Sequence, residues 1–284
     1  MISVVRASLD ILSLYDNDAE NTCVDAWMKA AVRIIKLATL AASVYRLKKG
    51  LEPVDPDPSL PHAANFLYMA TGRRPSSFES KVIDMAFILH AEHELPASST
   101  AALVVASTMA DLYSAITAGI GALKGPLHSG ANERALEMLM SIGSPEKAEK
   151  YVLEQPVAKK KIMGFGHRVY KTFDLGAVIY KKYLEQLSEI KKDYTLLNIA
   201  NKLGEVMVRE LGMKSVIPNI DLYSGPVFHL LGLEKEIFTP MFAVARSVGW
   251  IAHVLEYWED NRVIRPRAVY VGPSPRKYVQ LDER

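Results

Sequence analysis

The sequence predicts an all-α protein. Apolar residues recur at helical spacing through most of its 284 residues. No alternating apolar and polar run is long enough for a strand. Helix-starting and helix-stopping residues punctuate the pattern at short intervals. From Cys23 to Tyr45 the residues Val24, Trp27, Met28, Ala31, Ile34, Ile35 and Leu37 share one face, which predicts a single helix. The segment VDPDPSLP, residues 54–61, is a loop, because its prolines cannot sit inside a helix. Asn65–Thr71 is helical and Gly72 stops it; Ser76–Ala91 is helical, with Ser76 or Ser77 as N-cap and Glu79 in the first turn. Ala101–Leu123, rich in small residues, is expected to form one long helix ending at Lys124-Gly125-Pro126. Ser144 and Pro145 open a helix to about Glu154, and Pro156 breaks it. Lys159, Lys160 and Lys161 then lead into the glycine-containing loop IMGFGHRVYKTFD. Helices follow at Leu175–Glu189, Tyr194–Leu211, Gly225–Leu231 and Pro240–Asn261, with Val216–Leu222 a loop interrupted by Pro218 and an extended tail from Arg265.

Length and composition bound the function. A chain of 284 residues buries a large core and is expected to form two domains. The net charge of +2 gives no field that points to nucleic acid. The single cysteine, Cys23, allows neither an internal disulfide nor a CxxC metal site and fits a reducing compartment; a half-buried structural residue explains it better than a nucleophile. The N-terminus MISVVRASLD has no signal-peptide pattern. The apolar stretch Ala101–Leu123 is interrupted by Asp111, which argues for a buried helix rather than a membrane span. The expectation is a cytoplasmic protein without nucleic-acid or membrane partners.

The run GPLHSGANE, residues 125–133, carries the strongest chemical signal. His128 follows a helix end on a tight turn, and Ser129, Asn132 and Glu133 open the next helix. An imidazole fixed in this way suits a catalytic hydrogen-bond donor. Arg246 stands in the apolar pattern FAVARSVGW, so it is either paired or faces a cleft. Gly164 and Gly166, just before His167, suggest close approach of backbone to a ligand. His90 and His93, at i and i+3 beside Glu94, resemble two metal ligands on one helical turn, but no third is visible, and His90 is taken as structural. Asp221 alone reads as a turn or cap residue.

Six segments in order resemble the citrate synthase family: HAEHELPASST (90–100), GPLHSGANE (125–133), IMGFGHRVYKT (162–172), IPNIDLYSG (217–225), FAVARSVGWIAHVLEY (242–257) and IRPRAVYVGP (264–273). The likeness is closest to the short prokaryotic and archaeal type, which includes 2-methylcitrate synthases, and it covers nearly the whole chain. It implies a dimeric all-α fold with a cleft between a large domain, Met1–Leu127 with Pro226–Arg284, and a small domain, roughly His128–Gly225. It implies condensation of acetyl-CoA or propionyl-CoA with oxaloacetate, without metal or cofactor, the thioester being a co-substrate.

The resemblance assigns Asp221 as the base that takes a proton from the thioester methyl group, and raises that residue above its turn-residue reading. It assigns His128 as donor to the thioester carbonyl and His167 as proton source for the ketone oxygen. His93 and Arg246 match substrate-binding residues, and Arg265 matches an arginine presented to the partner subunit's site, although beside Pro266 it also reads as a plain surface residue. Lys171 matches a basic CoA contact; Lys161 and the backbone at Gly164 and Gly166 are further CoA candidates, against the plainer reading of Lys159–Lys161 as a solvated face.

Two departures stand out. The family continues Lys-Thr-x-Asp-Pro-Arg, whereas this chain reads Lys171-Thr172-Phe173-Asp174-Leu175-Gly176. The missing arginine implies oxaloacetate binding weaker by about tenfold to a hundredfold, at about 1.5–3 kcal/mol for a charged hydrogen bond. The family also carries an N-terminal segment with an Arg-Gly-Tyr motif that has no match here, so apolar surface is expected to stand uncovered. These departures leave an alternative: a weakened or inactive family member that still binds CoA or a dicarboxylate.

Overall fold

A computed structural model describes residues 1–154, 162–166, 173–211 and 217–284. Thirteen α-helices run in order among the described residues: α1 Ile2–Ser13, α2 Val24–Ile35, α3 Leu37–Lys48, α4 His62–Thr71, α5 Ser77–Ala91, α6 Ala97–Ala106, α7 Leu112–Leu123, α8 Ala131–Ile142, α9 Lys147–Glu154, α10 Leu175–Lys191, α11 Thr195–Leu211, α12 Ile220–Leu230 and α13 Phe238–Glu259. The all-α expectation holds; the described residues contain one isolated bridge, Phe165 to Pro218, and no strand.

Local chemistry explains most boundaries. Ser76 accepts the Glu79 amide while the Glu79 carboxylate takes the Ser76 amide, a reciprocal cap at the start of α5. Gly72 ends α4 in the left-handed region, φ +72°. Three expectations fail. The segment 23–45 is two helices, because the chain turns at Lys36 between α2 and α3. The stretch 101–123 is also two: the backbone leaves helical hydrogen bonding after Ala106, and Asp111 restarts it as the N-cap of α7 by accepting the Ser114 amide. Periodicity alone misses such a break when apolar residues continue through it. Third, residues 220–222 are not a loop: Asn219 caps α12 by accepting the Asp221 amide, which places Asp221 in the first turn of a helix that continues through Pro226. Cys23 is exposed rather than half-buried and sits at the N-cap of α2.

α13 is the central element. It packs on α5, α6 and α7 and also touches α2 and α3. It is the one described helix long and apolar enough to cross a membrane, and 72 % of its apolar window is buried inside the protein. Its contact with α5 is unusually close: a Cβ on Gly249 would stand 2.0 Å from the Ala91 carbonyl oxygen, so only glycine fits. A second group of helices gathers around α12, which packs on α8 and α10 and touches α11, while α11 packs on α9. Gly225 and Pro226 lie inside α12.

Candidate active site

The close seating of α13 on α5 sets the first wall of the site. Trp250 of α13 is fully buried, and its indole N–H donates to Ser98 Oγ at 3.3 Å. Ser98 Oγ in turn lies 2.8 Å from His128 Nε2, and the Ser98 amide donates to the same nitrogen at 3.1 Å. Because the amide can only donate, Nε2 carries no proton; the network assigns the proton to Nδ1. His128 is thus a neutral imidazole with Nε2 fixed as an acceptor and its proton on Nδ1. Burial lowers its pKa, its own backbone hydrogen bond opposes this, and the charge of Arg246 adds to the lowering. The His128 amide donates to the Gly125 carbonyl at 2.9 Å, which holds the tight turn.

Arg246 is buried one turn before Trp250. Its Nε donates to the His90 carbonyl at 2.7 Å, and its guanidinium lies over the Phe242 ring at 4.9 Å. No carboxylate pairs with it among the described residues. Burial lowers its pKa to about 10, so it is charged at neutral pH and available to an anionic ligand. His90 beneath it is buried, with Nδ1 on the Ala86 carbonyl at 2.8 Å and Tyr180 Oη at 3.3 Å. Burial pushes His90 down to about 4, which keeps it neutral.

The opposite wall is α12. Gly164 and Gly166 lie antiparallel to residues 217–219: the Asn219 amide donates to Gly164 O at 2.9 Å, the Gly166 amide to Ile217 O at 2.8 Å, and Asn219 Nδ2 to Gly166 O at 2.8 Å. Gly164, at φ +82°, approaches α12 so closely that a Cβ would meet Leu222 Cα at 2.8 Å. The close approach read from this glycine is therefore to a helix of the protein itself. Asp221, two residues after Asn219, faces the cavity. Burial first and the charge of Asp174 second, opposed by Arg134, raise its carboxyl pKa to about 6. No hydrogen bond is made to its carboxylate among the described residues.

A cavity of about 240 Å³ joins the two walls; Asp221, His128, His93 and Arg246 all line it. It brings together a carboxyl of raised pKa, a neutral imidazole and a cation with no carboxylate partner among the described residues, a set suited to removing a proton beside a carbonyl in an anionic substrate. His93 lies beyond the end of α5, not on the same helical turn as His90, which corrects the i, i+3 pairing. The described residues hold no group of three His, Cys, Asp or Glu suited to a metal. Arg265 sits in the exposed tail and does not line its own chain's cavity. His167, Lys171, Lys161 and the neighbouring Lys159 and Lys160 fall outside the described residues. Gly176 is the second residue of α10, and a Cβ there would meet Ile220 Cδ1 at 2.9 Å. Ser98 and Trp250 are the participants sequence reasoning missed; the signal available was a serine just after Pro96 at the opening of α6.

The pattern described as "Citrate synthase, C-terminal domain" matches residues 1–267. Citrate synthase 2 of Bacillus subtilis is 43 % identical over 284 residues, covering 100 % of this chain and 76 % of that protein. Citrate synthase of Saccharolobus solfataricus is 47 % identical over 259 residues, 90 % of this chain and 69 % of its own. Among solved structures, a ternary complex of carboxymethyl coenzyme A and oxaloacetate with citrate synthase from Thermoplasma acidophilum superposes with a TM-score of 0.89 at 39 % identity, covering 100 % of this chain and 76 % of that one. Citrate synthase from Pyrobaculum aerophilum gives 0.88 at 41 % identity, with 100 % and 74 % covered.

Proposed function

The chain belongs to the citrate synthase family, and from that premise we propose that it condenses acetyl-CoA with oxaloacetate to give citrate and CoA. The observation that carries the proposal is the shared cavity of Asp221, His128 and Arg246. Asp221 takes a proton from the thioester methyl group. The developing enolate oxygen accepts a hydrogen bond from His128 Nδ1–H, which the Ser98 network holds in the required tautomer. The methylene carbon attacks the ketone carbon of oxaloacetate while His167 supplies a proton to the ketone oxygen. Water then hydrolyses the citryl thioester and releases CoA. His93 and Arg246 hold the oxaloacetate, Arg246 by its free guanidinium edge. Lys171, Lys161 and the Gly166 backbone are assigned to CoA, and no cofactor takes part.

The same reading supplies the organisation. The chain is a cytoplasmic enzyme of the tricarboxylic acid cycle. Its large unit is residues 1–127 with 226–284 and its small unit residues 128–225, with α12 shared between them. It works as a homodimer in which Arg265, on the exposed tail, completes the partner's cleft. The alternative of an inactive scaffold gains no support, since base, donor and cation all face one cavity. Thiol release from acetyl-CoA with oxaloacetate tests the reaction, and propionyl-CoA tests the donor preference. Co-expressed Asp221→Ala and Arg265→Ala chains test the dimer: mixed dimers regain one intact site, so activity absent from either variant alone reappears. Its absence in verified mixed dimers refutes the shared site.

A further inference from the structure

A base in this reaction must be fixed in position and unwilling to stay ionised, and Asp174 bears on both requirements. Asp174 is buried at the N-cap of α10, where its Oδ1 accepts the Ala177 amide at 3.3 Å. Its Oδ2 accepts the Ile220 amide at 2.8 Å. Ile220 is the first residue of α12 and the neighbour of Asp221. One side chain therefore closes orphan amides at the starts of two helices and joins them. A carboxylate suits this place because both helix starts present partial positive charge. After burial, its charge is the next cause that raises the Asp221 carboxyl to about 6. Among the described residues, the other groups facing Asp221 are Arg134 from α8, which opposes, and Tyr180 from α10. Neutral His90 and the ligand-facing His93, His128 and Arg246 share its cavity. Gly176 leaves both ends of the tie undisturbed: a Cβ there would stand 3.1 Å from Asp174 Oδ1 and 2.9 Å from Ile220 Cδ1.

We infer that Asp174 is a positioning residue of the reaction: it pins the start of α12 to the start of α10 and presents a second carboxylate to the base, setting both the aim and the reactivity of Asp221. This rests on Asp221 being the base. Steady-state kinetics across pH on the purified full chain separate the two effects. Asp174→Asn keeps the shape and an oxygen for the Ile220 amide but removes the charge. Losing a like charge lowers the Asp221 pKa, so the acid limb of kcat/KM moves to lower pH by about half a unit or more. The weaker base lowers the plateau about tenfold. Asp174→Ser retains a short acceptor for the Ala177 amide and cannot span to Ile220; kcat falls about a hundredfold with the oxaloacetate KM nearly unchanged. Gly176→Ala leaves Asp174 in place but crowds both ends of the tie, and its kcat falls about tenfold.

Folded Asp174→Asn with an unmoved acid limb, or folded Asp174→Ser with wild-type kcat, overturns the inference. If neither folds, Gly176→Ala decides it, wild-type kcat in that variant being the adverse result. Asp221→Asn separates this failure from that of the proposed mechanism. If Asp221→Asn stays active, the base assignment itself is lost. If it is dead while the Asp174 and Gly176 variants behave as wild type, only the positioning role is lost.

Discussion

The two walls of the cavity are built on opposite principles. On the α6 and α13 side, Trp250, Ser98 and His128 form a hydrogen-bonded chain that fixes the imidazole proton on Nδ1. On the α12 side, the Asp221 carboxylate is desolvated, faces a second carboxylate and receives no hydrogen bond among the described residues. A donor needs orientation, which a satisfied network supplies; a base needs proton affinity, which comes from withholding satisfaction.

The sharpest way to break this comparison is Asp221→Asn. It removes the base and is expected to lower thiol release by about 10³-fold; a loss under tenfold would falsify the assignment. Intact Asp221 must be deprotonated to act, so kcat/KM of the wild type rises with pH through about 6. A profile still level down to pH 5 contradicts the raised carboxyl. Next comes His128→Ala, which removes one donor and is expected to cost about 10²–10³ in kcat, with the pH limb of Asp221 retained. If the limb vanishes with the histidine, the two walls are one titrating unit.

Smaller changes probe the supports. Gly164→Ala places a Cβ against the Leu222 backbone in a left-handed conformation and is expected to cost about 2–3 kcal/mol, seen as a lower denaturant midpoint. An unchanged midpoint denies the tight seating of 164–166 on α12. Glu79→Gln cuts the link between the walls, since Glu79 at the start of α5 receives Arg73 and Lys191, the latter from the end of α10. Burial pushes the Glu79 carboxyl up, but Arg73, Lys191 and the Ser76 amide outweigh it and hold it far below its usual range. The stability it provides is therefore complete above its ordinary value of 4.5 and is lost as pH falls toward the folded value. The expected cost at neutral pH is about 2 kcal/mol, discounted because Arg73 is half exposed. A loss independent of pH between 3 and 7 contradicts this linkage. Least severe is Ser98→Ala, which leaves the amide on His128 and is expected to reduce kcat about tenfold; a loss equal to that of His128→Ala places the whole donor function in the hydroxyl.

The sequence made some of this legible and hid the rest for physical reasons. The Ser76–Glu79 cap is written in four consecutive residues and could be read directly. The break after Ala106 reads only as an interruption at Asp111, because small and apolar residues stand on both sides of it; that Asp111 caps a new helix shows only in the backbone. Pro218 drew the expected loop too far, when Asn219 already caps the next helix. His128 and Asp221 were visible through the segments around them. Their supports were not: Ser98 acts across 30 positions and Asp174 across 46, and no local spacing encodes such contacts.

The antiparallel contact between 164–166 and 217–219 also constrains how this chain can change over time. Its bonds fix Gly166 to Ile217 and Gly164 to Asn219, residue against residue. One added or deleted residue inside either run shifts the pairing and turns the next side chain to the opposite face. Surface loops such as residues 51–61 carry no such counting rule. In a library of single-residue insertions and deletions selected for activity, survivors will therefore accumulate in 51–61 and be missing from 162–166 and 217–219, a gap in the alignment of viable descendants that marks where length itself is under selection.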